Sequence, residues 1–193
     1  EDVHHECDNE HHHHHHHHHY DEHIWTSPHN AIKMTQAISE ALIASDSANK
    51  DFYTKNTENY INRLNCLDDN YRNMRENASN NLIVIGDRFP FRYLAAEYDL
   101  EFYAAFSGCS SESEPGVYTM AFLIDKILET KTKYVFSLEL STKRLAKKLS
   151  DATGTKTLSL QSCHNVTKED FENDVTYIDL MEQNLENLKE ALS

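Results

Sequence analysis

Between residues 82 and 160, four short apolar runs alternate with helix-forming stretches, and this alternation constrains the chain more than any other feature. Leu82 to Ile85, Leu100 to Phe106, Tyr134 to Leu138 and Thr157 to Leu160 read as strands buried on both faces. Helices are predicted between them near Pro90 to Tyr98, Pro115 to Thr130 and Thr142 to Ala152, the last stopped by Gly154. A closing helix from about Asp174 to Leu192 carries Ile178, Met181, Leu185, Leu188 and Leu192 on one face. Repeated strand–helix alternation with right-handed crossovers gives an α/β fold, a four-stranded parallel sheet with helices on both faces. Ligands of such sheets bind beyond the carboxyl ends of the strands. The residues there are Gly86-Asp87-Arg88, Ser107-Gly108-Cys109, Glu139-Leu140-Ser141 and Ser162-Cys163-His164-Asn165. Topology therefore brings two acids, Asp87 and Glu139, and one imidazole, His164, to a single edge.

Upstream of the sheet, Tyr53, Tyr60, Leu64, Leu67, Tyr71 and Met74 follow helical steps, predicting one helix from Lys50 to Asn77. At 1.5 Å per residue it is about 40 Å long, the length of a brace. Three Tyr in its seam argue against a coiled coil. Before it, Ser27 as N-cap and Pro28 at the first helical position open another helix, with Ala31, Met34, Ile38, Ala41 and Leu42 on its apolar face. With only 4 Gly and 3 Pro among 193 residues, helix should dominate. The net charge of -14, from 18 Lys+Arg against 32 Asp+Glu, argues against nucleic acid and against an anionic membrane surface as partners. No apolar run approaches the roughly 20 residues needed to cross a bilayer. The chain begins at Glu1 without a leader, so it reads as a processed or truncated product.

Residues 1 to 22 are Glu, Asp, Asn and His with little else, and no core can be built from them. Here lie His4, His5 and the unbroken run His11, His12, His13, His14, His15, His16, His17, His18 and His19. The run resembles an affinity tag, but it is interior, sits in acidic sequence and continues without a linker into Tyr20-Asp21-Glu22-His23, so we read it as native. Neutral imidazoles favour zinc, copper and nickel, and the acidic background concentrates cations. Such a loop binds loosely and exchanges quickly, which suits capture or storage. His23, just before Ile24-Trp25 and the capped helix, is placed to be held in one position. Of the cysteines Cys7, Cys66, Cys109 and Cys163, none are in C-x-x-C spacing. Cys109 and Cys163 both lie at the ligand edge, where a disulfide and two separate thiols are equally open.

Asp21-Glu22-His23-Ile24-Trp25-Thr26-Ser27-Pro28 after a His-rich acidic loop resembles the signature of the zinc- and manganese-type (cluster A-I) substrate-binding proteins of bacterial ABC transporters. The long helix, Gly86-Asp87-Arg88-Phe89-Pro90-Phe91-Arg92-Tyr93-Leu94, the segment Ser110 to Gly116, and Ser162-Cys163-His164-Asn165-Val166 follow the order of that family's motifs. The resemblance implies two α/β domains joined by a rigid helix with a metal between them. It divides this chain into a His-rich metal-attracting loop (1–22), a remnant of the first domain (23–47), the linker helix (48–79) and the second α/β domain (80–193). It carries metal-ligand roles over to His23 and His164. The family's remaining ligand falls at Asp87-Arg88; Arg cannot ligate, so Asp87 or Glu139 is expected to substitute, or a water to fill the place. Part of the family's site is missing from this chain, so His23 is expected to sit displaced from His164.

Two imidazoles, a third implied and at most one carboxylate suit tetrahedral zinc at about 2.0–2.1 Å from nitrogen better than manganese. The resemblance implies a monomeric extracytoplasmic receptor, a lipoprotein or periplasmic protein, that captures zinc for an ABC permease and is not an enzyme. A free-standing His-rich zinc store or metallochaperone is the competing function. A metal hydrolase on the sheet would lack a phosphate-cradling Gly loop, a G-x-S-x-G elbow and an H-E-x-x-H helix.

Overall fold

Parallel strands stay together only where both faces are covered, and the chain supplies a helical layer for each face. The computed structural model describes residues 21–106 and 115–193. After a 3-10 turn at Ile24–Thr26 come α1 (Pro28–Ser45) and the long α2 (Lys50–Asn77). The alternating part follows as β1 (Leu82–Arg88), α3 (Arg92–Glu97), β2 (Glu101–Phe106), α4 (Val117–Thr130), β3 (Tyr134–Leu138), α5 (Arg144–Thr153) and β4 (Lys156–Leu160). Two helices close the chain, α6 (Lys168–Glu172) and α7 (Tyr177–Leu192). The sheet is parallel, in the order β2-β1-β3-β4, with Ile85 paired to both Ala104 and Phe136 and Leu138 paired to Leu160.

Side chains alternate across the sheet, so Ile83, Ile85 and Phe136 pack towards α2, α3 and α7, while Val84 and Val135 pack towards α4 and α5. A Cβ added at Gly86 would lie 2.5 Å from the backbone N and Cα of Ala146, so glycine is what lets β1 and α5 approach this closely. The seam of α2 lies as its spacing predicts. Leu64, Leu67, Tyr71 and Met74 are buried, and the Tyr71 hydroxyl donates to the Met181 carbonyl at 2.8 Å. Tyr71 stacks on Tyr98 at 5.0 Å, and the Tyr98 hydroxyl donates to Asp68 at 2.6 Å. The first half of α2 packs instead on α1, where Thr57 bonds Ser39 at 2.7 Å. Ser27 caps α1 by accepting from the Asn30 N–H, with Pro28 in the first turn.

Two expectations are corrected. Strands β2 and β4 are edges and expose their first residues, so only β1 and β3 are buried on both faces. The closing helix begins at Tyr177 rather than near Asp174, and a short α6 precedes it. Each of these two helices starts at its own capping box, Thr167 with Asp170 and Thr176 with Asp179, and Asp174 turns the chain between them at φ 53°. No described helix is long and apolar enough to cross a membrane.

Candidate metal centre

His23 is positioned entirely by its neighbours. Asp21 accepts from both the His23 backbone N–H (3.0 Å) and the ring Nδ1 (2.8 Å). A carboxylate only accepts, so Nδ1 carries the proton and Nε2 keeps its lone pair free, the arrangement metal-ligating histidines use. The surrounding segment is tied down from three directions. The Tyr93 hydroxyl of α3 donates to the Asp21 carbonyl (3.0 Å), the Tyr177 hydroxyl of α7 donates to the Trp25 carbonyl (2.7 Å), and Trp25 Nε1 donates to the Ser162 carbonyl beyond β4 (2.9 Å). Thr26 closes the turn by donating to the His23 carbonyl at 2.8 Å.

His164 approaches from the other side on the loop after β4. Cys163 takes a left-handed conformation (φ 56°), which sends its side chain into the core and leaves the next residue, His164, exposed. Glu139, at the end of β3, holds this loop by accepting from the Ser162 N–H (3.0 Å) and the Ser162 hydroxyl (2.5 Å). The same hydroxyl accepts from the His164 N–H at 3.3 Å, so the loop's shape runs from Glu139 through Ser162 to His164. Burial first, and the Glu139 charge second, push the Cys163 thiol up to about 12. It is therefore a protonated core group, not a nucleophile.

The rings of His23 and His164 lie 5.9 Å apart, with Trp25 at 5.4 Å from the first and 6.0 Å from the second. A zinc bound to both Nε2 atoms lies about 3.2 Å from each ring centre, placing the centres about 5.2 Å apart at a tetrahedral angle and about 6.4 Å apart in line. The observed separation falls inside that interval. His23 is thus not displaced from His164, because α3, α7 and the β4 loop anchor its segment from within this chain.

The carboxylates behave differently from the sequence-based expectation. Among the described residues, no three of His, Cys, Asp and Glu come together in a group able to hold a metal, so the expected set of His23, His164, Glu139 and Asp87 is not assembled as one cluster. Both Glu139 oxygens are engaged by Ser162. Asp87 ends β1, two strands from β4 and so about 10 Å away across the sheet. It lines a separate cavity of about 340 Å³ with Arg88, Lys143 and Arg144, and accepts from the Arg88 N–H at 2.9 Å. Sequence reasoning missed Asp21, although an acid two residues before a candidate ligand is itself the signal. It also missed Trp25, Tyr93 and Tyr177, whose tethers span from 72 to 152 positions and leave no local pattern. His4, His5, His11 to His19 and Cys109 lie outside the described residues, and with Cys109 one half of the pair for which a disulfide and two separate thiols were equally open. The other half, Cys163, is a free thiol, as is Cys66.

A family model described as ZnuA, zinc-uptake complex component A, periplasmic, matches residues 1–191. The zinc-binding lipoprotein AdcA of Streptococcus pneumoniae is 35% identical over 186 residues, 96% of this chain and 37% of that protein. The high-affinity zinc uptake system protein ZnuA of Bacillus subtilis is 33% identical over 172 residues, 89% of this chain and 53% of that protein. The crystal structure of the Zn(II)-bound ZnuA-like domain of S. pneumoniae AdcA matches with a TM-score of 0.76 at 34% identity, covering 90% of this chain and 64% of that one. The chain thus spans between 37% and 53% of the length of these two curated relatives.

Proposed function

The chain belongs to the ZnuA family of periplasmic zinc-uptake components, and from that premise we propose that it forms the metal-retaining part of an extracytoplasmic receptor that captures zinc and passes it to an ABC permease. His23 and His164 are the protein ligands in this reading. The observation that carries it is the pair of imidazoles 5.9 Å apart, one of them set by Asp21 in the tautomer that offers Nε2. Residues outside the described ones, Glu139 on release from Ser162, or water complete the tetrahedral shell; Asp87 is the remote candidate. Zinc rather than manganese follows from a nitrogen-rich donor set. Residues 23–47 and 48–79 serve as the piece of the first lobe and the rigid linker, and 80–193 as the second lobe. The His-rich residues 1–22 raise the local zinc concentration for that site. Named relatives that are a lipoprotein and an uptake-system component support a site of action outside the cytoplasm, at or near the membrane. The same relatives support a binding role, not catalysis.

Zinc affinity measured by competition with a chromophoric chelator tests the assignment. His23→Ala and His164→Ala should each weaken the tight site by at least about a hundredfold, more than the 10- to 100-fold typical of losing an outer partner. Deleting residues 11–19 should leave that site and remove only weak ones. The opposite pattern, a tight site that survives both substitutions and disappears with the deletion, would make the chain a His-rich store.

A further inference from the structure

We propose that Glu139 is a positioning residue of the zinc site and not one of its ligands, setting the distance between His164 and His23 through Ser162; this rests on the zinc reading above. Ser162 is buried, and all three of its polar atoms are bonded. Its N–H and its hydroxyl donate to the two Glu139 oxygens at 3.0 and 2.5 Å. Its hydroxyl oxygen accepts from the His164 N–H at 3.3 Å, and its carbonyl accepts from Trp25 Nε1 at 2.9 Å. One residue therefore ties the end of β3 to both imidazole-bearing segments. Trp25 lies beside both rings, 5.4 Å from His23 and 6.0 Å from His164, so it carries the position of Ser162 to the pair.

The residues on either side of Ser162 show why the loop needs this anchor. Before it, the buried Asn184 side chain of α7 accepts from the Gln161 N–H at 2.6 Å and donates to the Gln161 carbonyl at 2.8 Å. That fixes where β4 ends, but not the direction the chain takes next. After it, Cys163 holds φ at 56°, a left-handed value that a residue other than glycine keeps only where its surroundings impose it. With the Glu139 carboxylate removed, Ser162 loses the acceptor of both its donors. Cys163 is then free to return to negative φ, which carries His164 away from His23. A carboxylate with both oxygens committed to charge-assisted bonds could reach a metal only by giving up this anchor, and would undo the spacing it sets. Glu139 thus drops out of the groups named above to complete the shell.

Glu139→Ala, Glu139→Gln and Ser162→Ala in the full chain test this with two readouts. In the metal-free chain, the indole protons of Trp25, the one tryptophan, should give nuclear Overhauser effects to two imidazoles. Those to His23 should persist in every variant. Those to His164 should vanish in Glu139→Ala, weaken in Ser162→Ala and remain in Glu139→Gln, whose amide can still accept from the Ser162 N–H and donate to its hydroxyl oxygen. Zinc affinity by chelator competition should fall about 10- to 100-fold in Glu139→Ala, fall also in Ser162→Ala, and stay near the parent value in Glu139→Gln. The E139A/S162A double variant should bind no more weakly than Glu139→Ala alone, because both act through one loop. A ligand role predicts the reverse: Ser162→Ala would free the carboxylate and tighten zinc binding, and Glu139→Gln would weaken it as much as Glu139→Ala. Either result, or unchanged effects between Trp25 and His164 in Glu139→Ala, would overturn the proposal. If Glu139→Ala does not fold, Ser162→Ala and Glu139→Gln carry both readouts. A tight site that survives His164→Ala would sink the zinc reading itself, and the metal-free spectra would still decide whether Glu139 places His164.

Discussion

The carboxylate of Asp21 decides which nitrogen of His23 is available, so a residue that touches no metal governs whether the imidazole can bind one. Asp21→Ala should weaken zinc binding by about 10- to 100-fold. Trp25, the one tryptophan of the chain, lies within 6.0 Å of both imidazole rings, so its emission should change on zinc addition in the parent and not in His164→Ala. Cys163 illustrates the opposite case, a reactive group made inert by its surroundings. Its thiol is pushed up to about 12, and burial also drives the hydroxyls of Tyr98 and Tyr177 upwards. The folded state keeps these protons where the unfolded chain loses them, so their stabilising effect is complete below the ordinary thiol range and is lost as pH rises towards 12. Stability should fall above about pH 9 by up to about 1.4 kcal/mol per pH unit for each such group. Urea unfolding at a series of pH values reads this, and Cys163→Ala should delay the onset to the tyrosine range, near pH 10. A profile flat from pH 8 to 11 would contradict the assignment. His23 and His164 could be singled out as candidates because a capped helix start and a strand end each place one side chain, but their approach to 5.9 Å was not legible, because the tethers that bring it about are long-range. The roles of Glu139 and Asp87 were not legible, because strand order alone put one beside the β4 loop and the other two strands away.

At the scale of elements, what the sequence revealed depended on the length and periodicity of each segment. The 28-residue α2 was readable to its ends because its apolar seam, Tyr53 to Met74, repeats over about six turns. The five-residue α6 carries no buried residue and so no periodic signal, and only its capping box marks it. Edge strands were misread as fully buried because their apolar composition does not report which strands have two neighbours. The close approach of β1 to α5 was also invisible locally, since a single glycine in a strand has several uses. Gly86→Ala would force a Cβ against the Ala146 backbone and should cost about 1–3 kcal/mol or more, read as a lower urea midpoint. Thr176→Ala, which removes the cap of α7, should cost about 1 kcal/mol, and a loss from Gly86→Ala no larger than this would show that α5 can shift outwards at little cost.

Over the whole molecule, the fold separates three tasks. The α2–α3–α7 layer is a rigid support in which Tyr71, Tyr98 and Asp68 tie the long helix to the sheet domain. The α4–α5 layer closes the other face of the sheet around Val84, Leu123, Val135 and Leu149. The carboxyl edge between them carries His164, and three hydrogen bonds, from Tyr93, Tyr177 and Trp25, clasp the segment of His23 against it. Anchoring from within this chain holds the two imidazoles proposed as ligands close together, so on that proposal metal binding need not bear the full ordering cost of the site. The most direct measurement is the crystal structure of the zinc-loaded chain lacking residues 11–19, with diffraction recorded on both sides of the zinc edge. The expected result is one strong anomalous peak about 2.0–2.1 Å from Nε2 of both His23 and His164, with Asp21 still bonded to Nδ1. A peak bound to only one of these rings, or none between them while zinc occupies another site, would contradict the assignment.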